Sequence, residues 1–267
     1  MQSAHVVLAS RNPDGQEIVT YQLRYWRAIH SELMTHRVFS RNASSSRAIP
    51  VMKTIAQVWH DPAGPIHWGT NKPGMQAGDE LSGWRLATAK FLWKFFGRVA
   101  CCMAWTFAKI GLHKQVANRV LEPWQYISVV LTATEFDNWR ALRIHPKAMP
   151  EIHNLAVLME NARSKTEFQQ LYWGEWHIPY IRSADGVCTL AQMLKISVAR
   201  CARTSYNNHD GSKNTYDENA KLHDDLITSR PAHASPAEHQ AMAVPGAHAN
   251  LRGFQSYRTS LESQGRM

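Results

Sequence analysis

Thirteen consecutive residues, THRVFSRNASSSR at positions 35–47, hold one His, three Arg, four Ser and one Asn. These side chains suit an anion. A guanidinium presents a planar fork of donors that matches phosphate, and a serine adds a small hydroxyl that lets the backbone come close. Hydrogen bonds to a charged group contribute roughly 1.5–3 kcal/mol each, so two Arg and one Ser suffice to hold a nucleotide phosphate. A solvated polar loop has the same composition, and composition alone leaves both readings open.

Other signatures of phosphate or nucleophile chemistry are absent from the sequence. It contains no G-x-G-x-x-G and no G-x-x-x-x-G-K-[ST], which excludes a Rossmann fingerprint and a P-loop. There is no G-x-S-x-G elbow. The triplet His30, Ser31, Glu32 matches the H-x-E half of a zinc deaminase, but no P-C-x-x-C follows, so no metal site is expected. His233 and His239 bracket ASPAE without the H-E-x-x-H spacing.

The elements that must position these residues are legible in pattern. HVVLAS and EIVTYQLRY read as two strands around the turn NPDG. WRAIHSELMTH has Trp26, Ile29 and Leu33 at helical spacing. The 35–47 stretch has no clean period and reads as loop. Residues 59–78 are rich in Pro and Gly and read as a long surface loop. Asp79 is the expected N-cap of a helix running to about Ile110, ended by Gly111. HKQVANRVL reads as a short helix stopped by Pro123. YISVVLTA reads as a buried strand, and EFDNWRALRIH and PEIHNLAVLMENA as helices, the latter with Pro150 in its first turn. Residues 164–189 lack periodicity. TLAQMLKISVARCARTSY and TYDENAKLHDDLITS read as helices around the turn NNHDGSKN, and the tail begins as loop. The expected fold class is α+β: a helix-rich single domain over residues 1–267 with a small mixed or antiparallel sheet.

At 267 residues with 44% apolar composition the chain can bury a real core. The most apolar stretch, FLWKFFGRVACCMAWTFAKI, is interrupted by Lys94, Arg98 and Lys109, so no membrane span is expected. The N-terminus has no basic region followed by an apolar run, and the four cysteines include no C-x-x-C. The expectation is a cytoplasmic protein with reduced thiols. A formal net charge of +9 points to anionic partners: nucleic acid, nucleotides or phosphorylated cofactors. A solvated basic surface is the plainer reading of the charge.

The spacing His36-Arg37-x-x-Ser40-x-Asn42-x-x-Ser45-x-Arg47 resembles the signature of the flavin-dependent thymidylate synthases, the ThyX family: RHR-x-x-S-x-N-x-x-S-x-R. Only the first Arg is missing, and Thr35 stands there. ANRVLEP, NWRALR and AMPEI resemble three further family motifs in the family's order. ARCARTSY (199–206) and AHASPAEHQ (232–240) resemble AARVSY and GHxSPFEH, which in most members precede the signature. The resemblance therefore implies a circularly permuted order, with the family's N-terminal block displaced to about residues 187–267.

The resemblance implies reductive methylation of dUMP to dTMP, with FAD as cofactor, methylenetetrahydrofolate as carbon donor and NADPH as reductant. It also implies a homotetramer with shared active sites. By position, His36, Arg37, Asn138, His233 and Ser235 would contact FAD. Ser45, Arg47 and Arg119 would hold the dUMP phosphate, and Arg143 would polarise the pyrimidine carbonyls. Glu32 would lie near the nucleotide, and Arg143 and Ser45 are the implied catalytic pair. The plainer readings are surface charges for Arg119 and Arg143, and an i,i+4 pair between Glu32 and His36. All the implied ligands are anionic, which accounts for the charge without nucleic acid. Thr35, Ala43, Thr134, Lys147 and Met149 depart from the family at ligand-facing positions. Those departures admit a second product, a hydroxymethylated pyrimidine nucleotide, or a non-catalytic nucleotide- or nucleic-acid-binding protein on the same scaffold.

Overall fold

The computed structural model describes residues 1–186, 188–206 and 214–266, with the side chains of 205 and 206 left aside. The expected turn NNHDGSKN falls outside the described residues except for Asn214. Among those described, the structure is α+β, with nine α-helices and two small sheets.

The first sheet has five strands in the order β3-β4-β2-β1-β5. β1 (Ser3–Arg11) and β2 (Glu17–Trp26) form the expected hairpin. Its turn closes through Gly15 N–H donating to the Asn12 carbonyl at 3.0 Å, and Gly15 takes the φ of 80° that a side chain would resist. β4 (Tyr126–Ala133) is antiparallel to β2 along its whole length. Its other edge pairs with β3 (Ser40–Ala43). β3 corrects the sequence reading, which took residues 35–47 as loop throughout. Four residues of Ser-Arg-Asn-Ala carry no apolar alternation, and the strand exists because β4 offers a free edge. β5 (Gln169–Gln170) adds a short parallel pairing to β1.

β2 is buried on both faces, and the period of two sorts its side chains. Val19, Tyr21, Leu23 and Tyr25 enter the main core with Trp139, Ile152, Leu155 and Met159. Those partners come from α5 (Asp137–Arg143) and α6 (Pro150–Ser164). Ile18 faces the other way, onto the second sheet of β6 (Trp176–His177), β7 (Ala241–His248) and β8 (Leu251–Ser256). The β7–β8 hairpin was not foreseen: the tail was read as loop with an ambiguous end.

A satellite core joins α2 (Val51–His60), α3 (Gly83–Lys109) and α4 (Lys114–Ala117). α3 starts after Ser82, not at Asp79, because Leu81 N–H and Asp79 C=O are engaged by Trp68 and Thr70 across the preceding loop. The expected stop holds, since Gly111 adopts a φ of 87° just past its end. Pro123 does not stop the next helix; it lies inside a 3-10 stretch, Asn118–Trp124. No helix among the described residues is long and apolar enough to cross a membrane.

α1 (His30–Met34) leads into the 35–47 stretch. α7 (Leu190–Ala202), α8 (Tyr216–Thr228) and α9 (Tyr257–Ser263) pack with the short turn Ser235–Glu238 around Val198, Ile227, Ala237 and Leu261.

Candidate functional site

The residues of the 35–47 stretch divide between two places. His36 sits at the end of α1, buried against Phe39 and edge-on to Trp139 at 4.8 Å. Arg143, at the C-terminal end of α5, donates from Nε to His36 Nε2 at 3.1 Å and from Nη1 to Glu32 Oε2 at 3.0 Å. Glu32 therefore pairs with Arg143, not with His36 at i,i+4. His36 must accept at Nε2, so its proton is on Nδ1. Burial, with Arg143 and Arg41 nearby, holds its basicity below the usual histidine range. Arg143 is thus a guanidinium fixed on one edge by an acid and a neutral imidazole, and half-buried.

His36 also lines a cleft of about 500 Å³ with Thr35, Arg37, Thr134 and Asn138. Arg37 and Asn138 are exposed there. The cleft also carries Glu17, Asp137 and Glu135. All three acids are offset locally: Glu17 pairs with Arg11 and Arg163, Asp137 with Arg140, and Glu135 with Arg252. Arg37 has no ion pair among the described residues. It is the cation in this cleft best placed for an external anion.

The second place is the loop after β3. Ser45 and Arg47 are exposed, and Arg47 N–H donates to Ser45 Oγ at 3.2 Å. The loop is bolted to the 3-10 stretch that bears Arg119. Asn118 Nδ2 donates to Ser46 O at 2.7 Å and Ile49 O at 2.9 Å, and Lys114 Nζ to Ala48 O at 3.0 Å. Glu122 is the hub: its Oε1 receives Arg119 Nη1 at 2.7 Å, Arg27 Nη2 at 3.2 Å and Ser46 Oγ at 3.2 Å. Ser45, Arg47 and Arg119 are therefore carried on two segments tied together, as a phosphate site requires, but Arg119 is engaged by a carboxylate. Sequence reasoning missed Glu122, Arg27 and Asn118, although Asn118 and Glu122 lie inside the quoted ANRVLEP.

The displaced block packs against the signature. Ser235 Oγ donates to Asn42 Oδ1 at 3.3 Å, and Asn42 Nδ2 to Cys201 O at 2.6 Å. Ser235 and His233 do not line the 500 Å³ cleft, and His233 is exposed, its N–H tied to Leu226 O at 2.9 Å. One chain thus brings together three of the five flavin-assigned residues.

Behind the site runs a buried polar chain: Ser10 Oγ to His177 Nδ1 at 2.8 Å, His177 Nε2 to Thr20 Oγ1 at 2.9 Å, Thr20 to Thr132 at 2.7 Å, and Thr132 to His239 Nδ1 at 2.9 Å. Burial pushes both His177 and His239 down to about 3, so both imidazoles are neutral. None of this was visible in sequence, because its members come from four distant segments.

Two of the four cysteines are poorly suited to act as nucleophiles. Cys201 is fully buried with its thiol pushed well above the usual range by burial, and Cys101 is pushed up to about 11. Among the described residues no cluster of His, Cys, Asp and Glu could hold a metal ion.

No family model matches the chain, and no curated protein matches it. Solved structures do. Two crystal structures of the UMP/dUMP methylase PolB from Streptomyces cacaoi, one with 5-Br dUMP and one with 5-Br UMP, each align at TM-score 0.50 and 17% identity. They cover 62% of this chain and 91% and 89% of theirs. At that identity the likeness establishes the fold. The chain has the α+β architecture of that methylase.

Proposed function

We propose that the chain is an FAD-dependent thymidylate synthase that methylates dUMP to dTMP, with methylenetetrahydrofolate as carbon donor and NADPH as reductant. The observation that carries this reading is the division of one signature into two sites, on a fold shared with a UMP/dUMP methylase.

Ser45, Arg47 and Arg119 hold the nucleotide phosphate. Arg143 polarises a pyrimidine carbonyl, with Glu32 and His36 fixing the plane of its guanidinium so that little reorganisation is needed as charge develops. Arg37, His36 and Asn138 hold part of FAD in the cleft, where Arg37 meets the phosphates and neutral His36 presents no competing charge. FAD when bound supplies the hydride that completes the methyl group.

A cleft of about 500 Å³ is the size of a site for one drug-sized molecule, and a dinucleotide extends beyond it. The rest of FAD falls to a neighbouring subunit, whose His233 and Ser235 complete the set. A homotetramer also explains α3, where Phe91, Leu92, Phe95, Phe96 and Met103 are exposed on one helix face. The Ser235–Asn42 and Asn42–Cys201 bonds support the permuted order, because they return the displaced block to the signature.

A second reading, a pyrimidine nucleotide hydroxymethylase, is favoured by one observation. Two of the departures from the family pattern, Thr35 and Thr134, line the same cleft as His36 and Arg37. A change there alters what meets the one-carbon unit before hydride arrives.

Calorimetric titration of dUMP tests the phosphate assignment. Arg47→Ala is expected to weaken dUMP binding at least tenfold while FAD content stays the same, since one charge-assisted bond contributes roughly 1.5–3 kcal/mol. Equal affinity in the variant contradicts the assignment.

A further inference from the structure

A second cavity, of about 310 Å³, lies at the opposite end of the sheet from the cleft. Trp26 and Tyr126 pair at its end of the β2–β4 ladder, and Val19 and Ala133 at the other. Seven residues of strand separate the two pairs, roughly 23 Å at the usual rise. The cavity is therefore separate from the proposed flavin cleft.

Its walls are Trp26, Trp68, Trp93 and Tyr126, brought from β2, the 61–82 loop, α3 and β4. Trp26 and Trp68 both stand edge-on to Trp93, at 5.8 Å and 87° and at 6.2 Å and 81°. The indole N–H of Trp26 donates to Pro123 O at 2.7 Å, and that of Trp93 to Ala63 O at 2.9 Å. Those two rings offer π surface and no free donor.

The walls are also fixed. Gly64 lies flat on Trp93, where an added Cβ would meet Nε1 at 2.6 Å. Ile66 N–H donates to the buried Glu151 carboxylate at 2.7 Å, and Leu81 N–H to Trp68 O at 2.8 Å. The cavity is built before any ligand arrives.

Aromatic boxes commonly receive cations, held by the ring faces. The charges here argue for the opposite sign. Lys90 and Lys94, one helical turn apart on α3, both line the cavity, and no Asp or Glu among the described residues does. Arg24 covers Tyr126 at 3.8 Å, but Asp61 offsets its charge at 2.8 Å, so the two lysines set the sign. A cation would enter against these charges, whereas an anion would be drawn to the rim while its ring lies among the indoles.

We propose that this cavity binds a planar aromatic or heteroaromatic carboxylate, with the ring between the tryptophans and the carboxylate on Lys90 and Lys94. The site does not depend on the nucleotide reading above.

The test uses quinoline-2-carboxylate and 1-methylquinolinium as probes of matched shape and opposite charge, followed by ligand-observed NMR on the full chain. The carboxylate is expected to bind saturably, with a dissociation constant on the order of 1 mM or tighter for a ligand of this size. The cation is expected to bind at least tenfold more weakly. Lys90→Ala with Lys94→Ala, both exposed positions, is expected to weaken the carboxylate about tenfold with an unchanged melting curve. Trp68→Ala is expected to abolish binding, and Trp68→Phe to restore most of it. Preference for the cation, or undiminished carboxylate binding in the double lysine variant, overturns the proposal.

Discussion

Arg143 donates its Nε–H to Nε2 of His36 at 3.1 Å, across 107 residues of sequence. That bond does two things. It fixes the imidazole tautomer, and it leaves the outer face of the guanidinium aligned by Glu32 at 3.0 Å. A lysine at this position keeps the charge but loses the planar fork. Arg143→Lys is expected to lower kcat/KM for dUMP roughly 10- to 150-fold, the equivalent of one charge-assisted bond at about 1.5–3 kcal/mol. Flavin content should not change. Steady-state kinetics at saturating FAD checks this, and a change below twofold would remove Arg143 from the chemistry.

Glu122 stands where the proposed phosphate would compete for Arg119, since its Oε1 already receives Arg119, Arg27 and Ser46. Neutralising it releases the arginines for an external anion. Glu122→Gln is expected to tighten dUMP binding severalfold and to change stability by less than about 1 kcal/mol, because Arg119 is half exposed. If instead Glu122 serves only to position Arg119, the variant binds dUMP more weakly. Calorimetry reads the sign directly.

Buried histidines set the acid limit of stability. His30 is pushed down to about 4 by burial and by Arg27 and Arg41, and His177 and His239 to about 3, chiefly by burial. Folded, all three stay neutral; unfolded, each takes a proton near its ordinary value of 6.5. Between about pH 4 and 6.5 the unfolded chain therefore binds more protons, and stability falls as pH drops through that window. The slope is about 1.4 kcal/mol per histidine per pH unit. Urea midpoints at pH 7.5, 6.0 and 5.0 should fall in that order. A flat series would mean that these imidazoles are not held neutral.

The regular elements were legible from composition and spacing. β2 and β4 are short apolar, β-prone runs buried along most of their length, α6 buries one helical face, and Pro150 and Gly111 mark a start and a stop that the structure keeps. β3 was not legible, since its pairing depends on an edge offered by a strand some ninety residues later. The β7–β8 hairpin was obscured by Pro245 and Gly246 inside a strand, which read as loop in isolation.

The structure brings three of the flavin-assigned residues, His36, Arg37 and Asn138, to one cleft and carries Ser45, Arg47 and Arg119 on two linked segments. The signature spacing singled these residues out without their company. It did not show that Arg119 is held by Glu122, that Arg143 is held by both Glu32 and His36, or that His239 ends a buried polar chain. Such partnerships are tertiary, and one-dimensional spacing carries no trace of them. The Ser235–Asn42 bond, which joins the displaced motif to the signature, is likewise a tertiary contact that the motif order did not state.

The most direct measurement is the mass of the nucleotide formed when the protein, loaded with FAD, is given dUMP, methylenetetrahydrofolate and NADPH. The proposed function predicts dTMP, dUMP gaining one CH₂ unit, with oxidation of NADPH in step. Unchanged dUMP would contradict it, and a product heavier than dTMP by one oxygen would replace methylation with hydroxymethylation.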